Sequence, residues 1–313
     1  MTYKLIFSLA EDSPDKTTDV PAIDFKRCYN YLQKRHECKA CRDACPKEAI
    51  VYDKRMKINR NLCSRCHLCA GICPTQCILP RSPFVKGNDI AGNETLMISC
   101  RRRGAGFAGI NMPCIASLPW EFYAYSSYHG PISIMTQSCG DCGLQAEKYI
   151  QAIFERLQLF WGEEYAGKVL KHTEAPQIQY SRREVLGLFM RNAKKPVDVL
   201  MPEETGEEAE EHPGRYRKFL LNEIDENKIH GWLTWEIGPS CWGCKVCEKL
   251  CPCRAMQLVE KDGQRMLSHN VVRCIGCQLC KLTCPEKCIG NLVEHRTSKA
   301  EPVVLSPVQA KKF

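Results

Sequence analysis

The chain has 313 residues, 23 of which are cysteine, and a formal charge of +8 that counts every cysteine as neutral. So many cysteines could form a disulfide framework, but such frameworks are typical of small secreted domains. The apolar run near residue 1 is too short for a signal peptide, so we expect free or ligating thiols in a reducing cytoplasm. No stretch approaches the roughly 20 apolar residues of a membrane-spanning helix, and none interleaves aromatic and basic residues as nucleic-acid grooves do. Ligating thiolates would also offset the positive charge, so a nucleic-acid partner is excluded.

The N-terminal segment carries one cysteine signature twice. The second copy has the full spacing CxxCxxCxxxCP, whereas the first lacks its leading cysteine and has Arg35 in that place. Between the copies, residues 49–52 and 56–58 predict the two strands of a short hairpin. An additional Cys28 lies in residues 27–33, which we predict to be helical. The signature cysteines are Cys38, Cys41 and Cys45 in the first copy, and Cys63, Cys66, Cys69 and Cys73 in the second.

The middle of the chain has cysteines at predicted strand ends. Residues 95–98 and 132–135 predict strands and residues 120–125 a helix, which together indicate a βαβ-like unit. A longer helix is predicted from about residue 145 to 161, with an apolar stripe that we assign to the core. The four cysteines are interpreted as a metal site, with unligated thiols or a redox dithiol as alternatives. They are Cys100, Cys114, Cys139 and Cys142.

The segment that follows predicts a connection. Ser181 and Glu184 have the spacing of a capping box, which indicates a helix running towards Arg191. Residues 202–214 are acidic and contain Pro and Gly, a composition typical of a solvated linker. We therefore expect an acidic linker and a connecting helix over residues 201–235.

The C-terminal segment carries the complete signature twice. A hairpin is predicted between the two copies, because Lys261-Asp262-Gly263 contains the Asp-Gly pair that favours tight turns. The cysteines are Cys241, Cys244, Cys247 and Cys251 in the first copy, and Cys274, Cys277, Cys280 and Cys284 in the second.

The two ends of the chain, residues 28–90 and 236–296, resemble bacterial-type two-cluster ferredoxins in spacing, proline and hairpin. In that family the first three cysteines of a signature hold one [4Fe-4S] cluster and the fourth crosses to the other cluster. The resemblance implies four ligand sets. One of them has only three signature cysteines, and Cys28 is the candidate for its fourth ligand. A three-iron cluster or a non-protein fourth ligand is the alternative there. The sets are site N1 (Cys28, Cys38, Cys41 and Cys73), site N2 (Cys45, Cys63, Cys66 and Cys69), site C1 (Cys241, Cys244, Cys247 and Cys284) and site C2 (Cys251, Cys274, Cys277 and Cys280).

Residues 112–149, MPCIASLPWEFYAYSSYHGPISIMTQSCGDCGLQAEKY, are similar to the cysteine-bearing core of the iron–sulfur delta subunit of methyl-viologen-reducing hydrogenases. That subunit passes electrons between hydrogenase and heterodisulfide reductase. The family has a close CxxC pair ahead of this core, whereas here Cys100 is followed by Arg101, Arg102 and Arg103. The resemblance implies a fifth cluster, [4Fe-4S] or [2Fe-2S], on the four cysteines of the middle segment, which we call the middle site.

Three cysteines fall outside these sets. Cys77 and Cys288 each lie four residues after a cysteine that precedes proline, where the other repeats have Ala49 and Ala255. We predict that both are small buried side chains without a ligand role. Cys253 aligns with polar residues of the other repeats, which predicts an exposed thiol.

We therefore expect an α+β protein with two ferredoxin-like dicluster modules, residues 1–94 and 236–313, flanking a small α/β domain at residues 95–200. No GxGxxG, phosphate-binding loop or paired-carboxylate site is evident, so we expect substrate chemistry to occur in a partner. The predicted function is to relay low-potential single electrons between a donor or acceptor protein and a catalytic oxidoreductase subunit in a hetero-oligomeric anaerobic complex. Two alternatives stay open: a reductase with its own substrate site at the middle cluster, and a redox-sensing or cluster-delivery protein.

Overall fold

The structure is a computed structural model that describes residues 20–32, 38–53, 55–80, 85–86, 95–100, 110–136, 139–172, 215–261, 263–296 and 303–307. The helix predicted from Ser181, the acidic linker at residues 202–214 and the run Arg101 to Arg103 lie outside the described residues. Helices and strands are mixed throughout these described ranges, so the predicted α+β class is confirmed. Within the described ranges, no helix is long and apolar enough to cross a membrane.

The two ends of the N-terminal segment pair with each other. Its first strand pairs antiparallel with its last, Ala22 opposite Leu79, and the predicted hairpin forms between them, Ile50 opposite Ile58. Three short helices carry or follow cysteines of the signatures. The elements are β1 Ala22–Ile23, α1 Tyr29–Leu32, α2 Ala40–Asp43, β2 Ile50–Asp53, β3 Arg55–Ile58, α3 Leu68–Ile72 and β4 Ile78–Leu79.

The middle segment is built on a five-stranded sheet of order β5-β7-β6-β8-β9. Strand β5 is antiparallel to β7, and the remaining pairs are parallel, as βαβ connections require. The predicted strands and both predicted helices are confirmed, and the apolar stripe of α5 is buried. The elements are β5 Val85–Lys86, β6 Leu96–Cys100, β7 Ile110–Met112, α4 Trp120–His129, β8 Ile132–Met135, α5 Glu147–Trp161, α6 Tyr165–Lys168 and β9 Val169–His172.

The C-terminal segment repeats the plan of the N-terminal one. Strands β10 and β13 pair antiparallel, as β1 and β4 do, and the predicted hairpin forms between β11 and β12. The final strand, β14, adds to the free edge of β12. The elements are α7 Arg215–Glu223, β10 Trp232–Ile237, α8 Val246–Leu250, β11 Met256–Lys261, β12 Gln264–His269, α9 Leu279–Thr283, β13 Ile289–His295 and β14 Val303–Pro307.

One hydrophobic core joins all three segments. It takes Leu68 from the N-terminal segment, Phe122 and Phe160 from the middle, and Trp232 and Val271 from the C-terminal segment. The rings of Phe160 and Trp232 meet edge to face with centroids 5.4 Å apart. Burial of these large side chains from distant parts of the chain holds the segments against one another.

Helix α3 approaches the middle segment closely at Gly71. A Cβ at this position would meet backbone atoms of the 3₁₀ turn Ile115–Ser117: the carbonyl oxygen of Ala116, the carbonyl carbon of Ser117 at 2.7 Å and, just after the turn, the amide nitrogen of Leu118 at 2.8 Å. Only glycine leaves room for this contact. Since α3 carries Cys69 and the turn follows Cys114, the contact brings site N2 and the middle site together.

Candidate metal centres

Two cavities of the C-terminal segment are lined by the cysteines of sites C1 and C2. All four cysteines of site C1 line a cavity of about 400 Å³, and all four of site C2 line one of about 310 Å³. Each cavity thus contains the fourth cysteine of the other signature, as the ferredoxin resemblance implies. Cys284 lies with the first signature, and Cys251 lies with the second.

Cys253 also lines the cavity of site C2 and is only 2% exposed, so the prediction of an exposed thiol was wrong. The aligned positions Lys47 and Glu286 are exposed. The thiol of Cys253 lies within electrostatic range of Arg217 on α7, a helix from outside the repeat. Alignment of the repeats carries no information about this helix, so it could not predict the surroundings of Cys253.

The middle site lies at one edge of the parallel sheet. Cys100 ends β6, Cys114 follows β7, and Cys139 follows β8, so three adjacent parallel strands deliver cysteines at their carboxyl ends. Cys142 joins them through the 3₁₀ turn Gly140–Cys142. All four line a cavity of about 290 Å³, comparable with that of site C2, whose remaining walls include Ile115 and Leu144.

Site N2 is assembled by the two N-terminal signatures. The thiols of Cys63 and Cys69 both interact electrostatically with Cys66 and Cys45. Cys45 comes from the first signature and the other three from the second. The grouping is therefore the one found for site C2, with one cysteine crossing between copies.

Site N1 brings Cys28 to the incomplete signature. The thiols of Cys38 and Cys41 interact electrostatically with both Cys28 and Cys73. Asn30, two residues after Cys28, fixes this arrangement: its side-chain amide donates to the carbonyl of Cys38 at 2.7 Å, and its side-chain oxygen accepts from the amide of Cys38 at 3.0 Å. The predicted candidate is thus placed beside the other three cysteines, although Arg35 stands at the usual position of the fourth.

The complete signatures share an unusual backbone. The residue that follows the second cysteine has a left-handed φ in all three: +57° at His67, +63° at Lys245 and +61° at Gln278. Non-glycine residues seldom adopt this conformation, which turns the loop tightly around its cysteines. In the incomplete signature the matching residue, Lys39, has a φ of −117°. The loss of the leading cysteine therefore changes the loop itself.

Backbone amides point at the cysteine sulfurs. In three repeats the amide four residues after the proline-preceding cysteine donates to its sulfur: Ala49 to Cys45 at 3.3 Å, Cys77 to Cys73 at 3.4 Å and Ala255 to Cys251 at 3.1 Å. The preceding residue is left-handed in each case, at Glu48, Gln76 and Arg254. Such donors stabilise negative charge on a ligating thiolate.

Burial raises the pKa of several of these thiols. It raises the pKa of Cys139 to about 11 and the pKa values of Cys41, Cys114, Cys247 and Cys277 to about 12. Because a metal binds the thiolate, loading these sites must release protons.

Site N1 contains an exception to this pattern. Hydrogen bonds with the thiol of Cys77 lower the pKa of both Cys28 and Cys73 to about 6. The same bonds raise the pKa of Cys77, which keeps its proton. The thiol of Cys77 therefore favours the ionised form of its neighbours in site N1.

The donor chemistry fits iron–sulfur clusters. Cysteine thiols dominate the walls of the three cavities: five line that of site C1, together with Glu286, five line that of site C2, and four line that of the middle site. Thiolate coordination favours iron–sulfur clusters or zinc over hard cations. In the described part of the chain, no three His, Cys, Asp or Glu side chains converge as closely as a single metal ion requires. The thiols stand around cavities instead, and a polynuclear cluster would occupy such a space.

Two residues that matter to these sites were not found from the sequence. Asn30 is buried and clamps the backbone of Cys38, but a lone Asn in a short helix gives no signal. Arg217 donates hydrogen bonds to the carbonyl oxygens of Val272 and Cys274, beside site C2, from a helix 57 residues away along the chain. Only the three-dimensional structure connects these positions.

The comparison with protein families identifies one of the four signatures. Residues 56–79 match the family Fer4, described as a 4Fe-4S binding domain, and this range contains helix α3, strand β4 and all four cysteines of the second signature. No curated protein matches the chain. The chain therefore carries a ferredoxin-type segment, binds at least one [4Fe-4S] cluster and has an iron–sulfur electron-transfer role.

Proposed function

We propose that this protein is an electron-transfer subunit that holds five iron–sulfur clusters and relays low-potential single electrons between a donor and a catalytic partner in an anaerobic oxidoreductase complex. Sites N1, N2, C1 and C2 would each hold a [4Fe-4S] cluster, in two dicluster modules that flank the middle domain. The middle site would hold the fifth, [4Fe-4S] or [2Fe-2S]. When bound, such clusters accept and donate one electron at a time.

The observation that carries this proposal is the partition of the cysteines among the cavities. Three cavities are each lined by one complete set of four, including the two sets that exchange their fourth cysteine. The proposed sets would divide 20 of the 23 cysteines into five groups of four, leaving Cys77, Cys253 and Cys288 over. Grouping of this kind is expected if each set surrounds one prosthetic group.

Proximity between the sites supports a relay. Within the C-terminal segment, Cys280 of site C2 lies within electrostatic range of Cys247 of site C1. Between the two ends, Cys277 of site C2 interacts with Cys38 of site N1. The sequence of neighbouring sites C1, C2 and N1 thus passes from one end of the chain to the other.

The series continues into the middle segment. Cys69 of site N2 interacts with Cys41 of site N1, and Cys66 of site N2 interacts with Cys114 of the middle site. Cys66 and Cys114 also pack in the same hydrophobic core. We propose that the five sites follow the order C1, C2, N1, N2 and middle, with sites C1 and middle facing the two partners.

The chain's residues would support this role by holding and orienting the clusters and by excluding water from them. The amides of Ala49 and Ala255 are directed at ligand sulfurs, where they would favour the more reduced state. The apolar cores around sites N1 and C1 would exclude water and slow the loss of cluster iron.

Iron and acid-labile sulfide per chain, measured after anaerobic reconstitution, test the proposal. We expect about 18 iron if the middle site holds two irons and about 20 if it holds four, against about 16 if it stays empty. The double variant Cys114→Ala/Cys139→Ala should lose only the iron and sulfide that belong to the middle site. Colourless protein without sulfide would overturn the proposal. Turnover of a substrate by the isolated chain with an artificial reductant would favour the reductase alternative, and rapid cluster transfer to an apo acceptor would favour cluster delivery.

A further inference from the structure

Two cysteines outside the five sets occupy the same place in both end segments. Cys77 lies 3.4 Å from the sulfur of Cys73, and Cys288 lies 3.3 Å from the sulfur of Cys284. Both are buried, at 2% and 8% exposure, as predicted. Their sulfurs nevertheless contact thiols, so they do more than fill apolar space.

Each of them also interacts with a second thiol of the same site. Cys77 interacts with the thiol of Cys28, and Cys288 interacts with that of Cys241. In both segments, therefore, the extra cysteine lies between the first and the last cysteine of one ligand set. Site C1 already has four cysteines without Cys288, which indicates that the extra thiol is not needed as a ligand.

The other two sites lack this feature. At the equivalent positions, next to the cysteines that cross to sites N2 and C2, the chain has Ala49 and Ala255. The backbone amides of Ala49, Cys77 and Ala255 all donate to the preceding sulfur at 3.1–3.4 Å. The backbone donor is thus common to both kinds of site, and only the S–H group distinguishes them.

A cluster-bound thiolate carries no proton, so the extra cysteine must be the donor in these bonds. Its single S–H can point to either of two ligand sulfurs. Reduction adds a negative charge to a cluster, and a hydrogen bond to a ligand sulfur stabilises that charge. The bond should therefore raise the reduction potential.

We propose that Cys77 and Cys288 are positioning residues that donate S–H hydrogen bonds to ligand sulfurs of sites N1 and C1, and so raise the reduction potentials of these two sites relative to the same sites with alanine. The inference rests on the proposed cluster occupancy of both sites. It gives each end segment one site with the additional donor and one site without it.

Replacement of each cysteine by alanine and by serine tests the inference in the full reconstituted chain. Alanine occupies the equivalent position twice in this protein, so Cys77→Ala and Cys288→Ala should fold. The readouts are iron content and a redox titration followed by EPR spectroscopy.

We expect the alanine variants to keep their iron and to show one site shifted to lower potential. The equilibrium constant for reduction should fall several-fold, up to about tenfold, and tenfold corresponds to about 59 mV for a one-electron couple. The serine variants, which retain a donor, should keep the potential at or above that of the wild type.

Unchanged potentials with full iron would overturn the inference, because the S–H group would then not act on the cluster. Loss of about four irons in Cys77→Ala would also overturn it, because Cys77 would then be a ligand. Failure of the proposed function is a different result, in which the wild-type chain itself holds no iron or sulfide.

Discussion

The guanidinium of Arg217 on α7 lies 3.0 Å from the carboxylate of Glu121 on α4, and both side chains are almost completely buried. The same guanidinium lies 5.3 Å from the ring centroids of Trp120 and Trp232. It also donates hydrogen bonds to the backbone carbonyls of Val272 and Cys274. One arginine thereby connects the middle segment, the connecting helix and the loop of site C2.

Arg217→Met should destabilise the protein strongly, because it leaves the buried Glu121 without its partner. Removing one member of a buried pair typically costs about 3–5 kcal/mol. Anaerobic urea unfolding of the reconstituted protein measures the loss. The exposed pair Arg296 and Glu294, 3.6 Å apart, provides the control, and Arg296→Met should leave the unfolding midpoint unchanged. Equal effects of the two substitutions would contradict the importance of the buried pair.

Gly71→Ala should destabilise the contact between α3 and the turn Ile115–Ser117. The new methyl group would meet backbone atoms, which cannot rotate away, and overpacking of this kind costs about 1–3 kcal/mol. Gly167→Ala is the matched control, since a Cβ in α6 has no neighbour within 4 Å. Its stability should be unchanged or slightly raised, because alanine favours a helix over glycine. Thermal midpoints measured side by side distinguish the two variants.

Cys28→Ala should change site N1 alone. Removal of the proposed fourth ligand is expected to leave a three-iron cluster, or none, and so to reduce the iron content by about one to four per chain. EPR of the oxidised protein should show a three-iron signal that the wild type lacks. Cys253→Ala removes an even more buried thiol outside the five sets and should keep the full iron content. A three-iron signal already present in wild type would favour the alternative in which site N1 has only three cysteine ligands.

Protein stability should fall below about pH 6.5 because of His269. This side chain is fully buried, its Nδ1 lies 3.0 Å from Oγ1 of Thr234, and burial lowers its pKa from 6.5 to about 4, with smaller contributions from His295 and Arg217. Between these pH values the unfolded chain binds a proton that the folded chain does not, so stability declines as the pH falls. At pH 5.5 the loss relative to pH 7.5 should be about 1 kcal/mol.

Urea unfolding at the two pH values, in wild type and in His269→Gln, measures this contribution. The substitution should reduce the difference between pH 7.5 and pH 5.5. His230→Gln changes an exposed histidine and should leave the difference as in wild type. An unchanged difference in His269→Gln would assign the pH dependence to other groups.

The local structure of this protein was largely predictable, because each element depends on its own residues. The hairpin turn at Gly263 and the apolar stripe of α5 follow from turn chemistry and periodicity. The pairing of β12 with β14, the burial of Cys253 and the bond between Glu121 and Arg217 join residues far apart in sequence. No local pattern contains that information, so these features were not foreseen.

The ligand sets could be predicted from the sequence only in part. Repetition of one signature, read through a family resemblance, predicts which cysteines exchange between copies. Cys28 was identified as a candidate because one set was short of a ligand and the predicted helix leaves enough chain before Cys38 to return its thiol to that set. The clamp by Asn30 that places Cys28 beside Cys38 depends on the side chain of a single helix residue, for which the repeats offer no counterpart.

The interior shared by Leu68, Phe160 and Trp232 limits how the polypeptide can be dissected. A fragment that stopped before residue 215 would present Phe160 and Trp120 to solvent, and one that began after residue 94 would uncover the surface that α3 protects. Excised pieces are therefore expected to aggregate, and replacing one end by a two-cluster ferredoxin should require the facing residues of the middle segment to change with it.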